Sequence, residues 1–99
     1  MAELRKADFA KLSNCLKAMA HPIRLQIIEQ LREKEMNVTE LIKATKVKQA
    51  NLSQHLSQLR GKEIVKTRKE GNIVFYSLKK MEVIKIMDIM KNYVCNKSR

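Results

Sequence analysis

Residues 49–62 read QANLSQHLSQLRGK. Wound as a helix, this stretch sets Leu52, Leu56 and Leu59 on one face, at the spacing that packs against a core. The other face carries Gln49, Asn51, Ser53, Gln54, His55 and Gln58, with no formal charge until Arg60. A helix that is merely solvated usually relies on Glu and Lys. Amides and hydroxyls instead donate and accept at once, which is what base-pair edges in a major groove demand. The face points to DNA, and its neighbours decide how it would be presented.

Upstream, Asn37-Val-Thr-Glu40 places a polar cap three residues before a glutamate, the pattern that satisfies two orphan amides at a helix start. A short helix follows with Leu41 and Ile42 inward, and Val47 and Lys48 form the turn into the opening helix. Residues of about 38–61 therefore read as a helix-turn-helix, whose second member enters the major groove. Downstream of Gly61 the period drops to two. Val65 and Thr67 alternate with Lys66 and Arg68, and Val74, Tyr76 and Leu78 with Ile73, Phe75 and Ser77. This is a hairpin over about 64–78. Its tip holds Arg68, Lys69, Gly71 and Asn72, where Gly and Asn allow the turn and the cations can reach phosphate or minor groove. The predicted class is mostly α with a β-hairpin wing, a winged helix-turn-helix.

Two flanking helices complete the chain. Residues of about 5–20 carry Phe9, Leu12, Leu16 and Met19 as a narrow seam, ended by His21 and Pro22. Pro suits the first position of a new helix, which should bury Ile23, Ile27, Ile28 and Leu31 and end near Lys34. The last helix, about 80–95, has Val83, Ile84, Ile86, Met87, Ile89, Met90, Tyr93 and Val94, apolar over more than half its circumference. A helix of this kind on a small domain either packs only on its own chain or, with the seam of the first helix, forms a two-fold dimer. The breadth of the stripe favours the homodimer.

Composition agrees with one domain over residues 1–99, 44% hydrophobic and 31% charged, with 2 Gly and 1 Pro. The net charge of +11 is uneven: residues 1–40 hold 7 Lys or Arg against 6 acids, residues 41–80 hold 10 against 2, and residues 81–99 hold 4 against 2. The basic middle implies a polyanionic partner, double-stranded DNA. No apolar run reaches the roughly 20 residues that span a bilayer, and MAELRKADFA has no signal-peptide core, so no membrane partner and a cytoplasmic location are expected. Nothing gathers a nucleophile, a base and oxyanion donors, so no enzyme activity is expected, and no cofactor or metal motif stands out. Two other readings remain: a nucleoid-type protein coating DNA with little sequence preference, and a winged helix that no longer binds DNA.

The runs LKAMAHPIRLQIIEQL and NVTELIKATKVKQANLSQHLSQLRGKEIVKTRKEGNIVFYSL resemble the ArsR/SmtB family of winged-helix repressors across residues 12–78. A-H-P-x-R-L, L-S-Q-H-L-x-x-L-R and R-x-E-G-x-x-x-x-Y-x-L follow one another in family order and spacing. The resemblance implies a dimer through the first and last helices, an inverted-repeat operator and release by a chemical signal. Carried over by motif, the DNA-binding positions are Gln49, Asn51, Ser53, Gln54 and His55, with Arg68, Lys69 and Asn72 in the wing. His55 has an equal alternative as a residue that hydrogen-bonds inside the fold or to phosphate. Lys48 stands where many relatives have Ser, adding phosphate affinity while weakening the cap.

The inducer is not named by any motif. Residues 80–95 contain no His and a single Asp, Asp88, and TELIKATK contains no Cys, so neither usual metal arrangement of the family is present. Cys15 and Cys95 remain as sensing candidates, one on each proposed dimer helix, for thiol oxidation, persulfide or soft-metalloid chemistry. The ending MKNYVC resembles the thiol-switch branch, in which the partner cysteine lies on the second helix; here Glu29 occupies that place. Cys15 beside its leucine seam equally suits a small packing residue. A metal site of Cys15, Cys95 and His21 would stop short of four ligands.

Overall fold

A computed structural model describes residues 3–95. Five helices and three short strands alternate as α1 (Lys6–Met19), α2 (Pro22–Gln30), β1 (Met36–Asn37), α3 (Val38–Thr45), α4 (Gln49–Gly61), β2 (Val65–Glu70), β3 (Ile73–Leu78) and α5 (Glu82–Val94). This is the winged helix-turn-helix expected from the periodicities.

Local chemistry explains the boundaries. His21 caps α2 by accepting from the Ile23 N–H at 3.1 Å through Nδ1, and Pro22 takes the first helical position, where its missing N–H removes nothing. The helix closes at Gln30, earlier than the Lys34 expected, and residues beyond Leu31 turn toward β1. At α3 the Asn37 side chain accepts from the Glu40 N–H at 2.8 Å while Glu40 accepts from the Asn37 N–H at 2.9 Å. Both orphan donors named by the N-V-T-E pattern are thus satisfied. Lys46 ends α3 in the left-handed region, φ 62°, which lets the chain reverse into α4 within three residues.

The core is one cluster. Ile27 and Ile28 of α2, Leu41 of α3, Leu52, Leu56 and Leu59 of α4, and Ile64 and Val65 leading into β2 are almost wholly withdrawn from solvent. Val83 and Ile84 attach the first turn of α5 to it. β1 was not expected from the sequence. It pairs Met36 with Tyr76 and Asn37 with Phe75, antiparallel to β3, giving the sheet order β1-β3-β2. A two-residue strand has no readable period, and its pairing exists only because β3 is already fixed beside it.

The outer helices are different. Of the first-helix seam only Met19 is buried; Phe9, Leu12 and Leu16 lie exposed. On α5, Ile89 is 70% exposed and Tyr93 86% exposed. No helix of the described residues is long and apolar enough to cross a membrane.

Candidate nucleic-acid interface

Helix α4 is oriented by its leucines. With Leu52, Leu56 and Leu59 sealed against α2 and α3, the opposite side, Gln49, Asn51, Ser53, Gln54 and Gln58, faces solvent. Lys48 precedes it in extended conformation, exposed and making no side-chain cap, so its charge stands free at the helix N-terminus. The exposed row is made almost wholly of side chains that both donate and accept, on a helix held from behind by three buried leucines.

His55 departs from that row. Its Nδ1 accepts from Nε of Arg24 at 3.1 Å, and its ring lies 4.3 Å from that of His21. An internal hydrogen bond of the kind expected for His55 is therefore present, because α2 lies over this edge of α4 and Arg24 takes the acceptor nitrogen Nδ1. Burial, then the neighbouring His21 and Arg24, push its pKa below the ordinary histidine range. Arg24 also donates to the Ala18 carbonyl at 3.2 Å. Sequence reasoning assigned Arg24 no role; the conspicuous A-H-P-x-R-L run was the available signal, but its partner lies 31 positions away.

The wing carries its charge unevenly. Gly71, at φ 62°, turns β2 into β3, with Lys69 and Asn72 exposed beside it. Arg68 is exposed yet engaged. Its guanidinium grips the Glu35 carboxylate, reaches Glu70 at 3.3 Å and lies 4.6 Å over the ring of Phe75, its cross-strand neighbour. The hydrogen bonds from Arg68 hold the Glu35 carboxyl below the usual carboxylate range. Arg68 therefore ties the wing to the segment before β1 in addition to offering charge, whereas Lys66 and Lys69 are exposed cations on the same strand.

The two thiols are separated in role. Cys15 is half-buried and packs against the core from α1, whereas Cys95 is exposed at the end of α5; neither is in a disulfide. Cys95 lines a cavity of about 490 Å³ between α2 and α5 whose walls include Leu25, Ile86, Met87, Met90 and Val94. Glu29, the α2 position that the resemblance would give to a second cysteine, lines the same cavity. Cys15 is not part of that wall. Among the described residues no three His, Cys, Asp or Glu side chains gather into a metal-binding group, so Cys15, Cys95 and His21 are not brought together as one.

Comparison with known proteins agrees with this geometry. Residues 21–67, from the cap of α2 into β2, match the family model described as bacterial regulatory protein, arsR family. The chain is 40% identical over 95 residues to the transcriptional activator HlyU of Vibrio cholerae, covering 96% of this chain and 87% of that one. It is 40% identical over 76 residues to the transcriptional repressor PagR of Bacillus anthracis, 76% of each chain. The solved structure of NolR from Sinorhizobium fredii superposes with a TM-score of 0.83 at 33% identity, covering 95% of this chain and 97% of that one. The chain belongs to the arsR family of bacterial regulatory proteins, DNA-binding transcription regulators built on a winged helix-turn-helix.

Proposed function

We propose that this protein is a homodimeric cytoplasmic repressor that reads an inverted-repeat operator with α4 and the wing and is released by thiol chemistry at Cys95. The observation that carries the reading is the exposed, uncharged row of Gln49, Asn51, Ser53 and Gln54, flanked by Lys48 and Lys69. Such amides fit adenine edges, and the flanking lysines fit phosphate. Repression rather than activation is favoured by the relatives named repressors, PagR and the biofilm growth-associated repressor of Xylella fastidiosa, while HlyU is named an activator. The exposed apolar faces of α1 and α5 support the dimer. Cys95 is the better signalling candidate because it is exposed and borders a cavity, while Cys15 has the surroundings of a packing residue.

Fluorescence anisotropy with the protein's own upstream DNA and a scrambled fragment tests the reading. Preference for the upstream fragment by at least ~10³-fold at physiological salt, reduced about tenfold or more by Gln54→Ala, is the expected result. The basic middle of the chain favours one other reading, a nucleoid-type coat; equal affinity for both fragments, with steep salt dependence, would establish that instead.

A further inference from the structure

The cluster of Arg24, His55 and His21 is the point where α1, α2 and α4 meet through polar side chains. Arg24 Nε donates to His55 Nδ1 at 3.1 Å, its Nη1 donates to the Ala18 carbonyl of α1 at 3.2 Å, and the His21 ring lies 4.3 Å from His55, tilted by 44°. His55 adjoins Gln54 in the chain and lies one helical turn from Asn51 and from Gln58. A contact that holds His55 therefore adds to the leucine packing in fixing how those amides are presented.

We propose that Arg24 is a positioning residue for DNA reading: it pins α4 to α1 and α2 through the unprotonated Nδ1 of His55, and a proton on that imidazole opens the pin. The inference rests on α4 being the reading element.

The chemistry allows only one charge state. Arginine has donors and no acceptor, so His55 must present a lone pair at Nδ1 and carry its hydrogen at Nε2. The His21 Nδ1 also accepts a hydrogen bond, from the Ile23 N–H. A proton at His55 Nδ1 sets donor against donor and places a third potential cation in the cluster. The titratable and charged groups facing the ring are His21 and Arg24, both from α2 and its cap. From α1 the cluster receives the Ala18 carbonyl, and α3 and β2, also packed on α4, bring no charge that acts on the imidazole.

Burial reinforced by His21 and Arg24 lowers the His55 pKa, so the unprotonated form prevails at neutral pH. A lowered folded value means that the native state binds the proton less readily than the unfolded chain. The alignment is complete above the ordinary value of 6.5 and is lost as pH falls through the lowered one. Because α1 belongs to the proposed dimer interface, the same pin ties the reading helix to the element that sets the separation of the two heads.

Anisotropy at fixed ionic strength measures the ratio of affinities for the upstream and scrambled fragments at pH ~7.5 and at the lowest pH at which circular dichroism shows the parent still folded. The parent ratio is expected to fall about tenfold in acid. Affinity for scrambled DNA should hold or rise, because acid adds positive charge. His55→Asn keeps an acceptor at the δ position without titrating, and its ratio should stay within about twofold of the neutral parent value at both pH values. Arg24→Met should show the lowered ratio already at neutral pH, with no further fall. A parent ratio that is flat with pH, an acid fall preserved in His55→Asn, or parent-like reading by Arg24→Met overturns the inference. If Arg24→Met does not fold, the His55→Asn comparison decides alone. Loss of preference in Gln54→Ala together with a flat pH profile removes only the pin; no preference in the parent at neutral pH removes the DNA-reading proposal and the pin with it.

Discussion

Arg32 and Asp88, 56 positions apart, are joined by two hydrogen bonds of 2.7 and 3.1 Å that tie the turn after α2 to the middle of α5. The same guanidinium holds Glu29 through bonds of 2.9 and 3.0 Å. Glu29 and Asp88 also line the cavity that Cys95 borders, so this clamp forms its polar end.

Asp88→Asn should lower the melting temperature at low salt, and about 1 M salt should remove most of the difference, because both partners are partly exposed. The hydrogen bonds from Arg32 depress the Asp88 pKa, so the native state gives up its proton more readily than the unfolded chain. The stabilisation is complete above the ordinary aspartate value of 3.8 and lost as pH falls through the lowered one. Thermal melts from neutral pH down to about pH 3 should therefore show a shallower acid decline in the variant.

Glu35→Gln removes the carboxylate that holds Arg68. The released guanidinium should strengthen binding to scrambled DNA several-fold at low salt, with the slope of log affinity against log salt steeper by about one unit. Anisotropy across a salt series reads both quantities. An unchanged slope would mean that Arg68 serves the wing's placement alone.

Ile89→Asp places a charge in the exposed apolar face of α5, where no intrachain packing is disturbed. Sedimentation should find a monomer at micromolar concentration with unchanged helical content. Affinity for a two-half-site fragment should fall by at least ~10²-fold, while binding to a single half-site stays near the parent value. A dimer that persists in this variant would move the interface elsewhere.

Cys95→Ser should abolish the response to polysulfide, whereas Cys15→Ser should retain it. In the parent, the Cys95 thiolate is expected to take up a sulfane sulfur and become a persulfide, the polysulfide leaving one sulfur shorter. Specific affinity measured before and after treatment should fall about tenfold or more only where Cys95 is present. Equal loss in Cys95→Ser would assign the chemistry to Cys15.

Helix α4, its two neighbours and the wing were legible because each repeats a local rule. Leu52, Leu56 and Leu59 recur at helical spacing, Asn37 and Glu40 stand three apart, and Val65 and Thr67 alternate with cations. In each case the interacting groups are near in sequence, so their types alone report the contact. The same logic named Gln49, Asn51, Ser53 and Gln54 as an outward row, and these side chains are exposed.

Contacts between distant residues had no such signature. Arg68 reads as a free wing cation until the fold brings Glu35 to it across 33 positions, and His55 reads equally as a DNA contact or an inner residue until Arg24 arrives across 31. Strand β1 exists only beside β3, and the meeting of Cys95 with Glu29 at one cavity depends on how α5 lies on α2. By itself, then, the sequence determined the fold class, the inward leucine stripe and the family, because helical and strand periods and short motifs are local properties. The tertiary structure alone decided which charges are free, which histidine is committed and which thiol borders a cavity, because those follow from the packing of elements far apart in the chain.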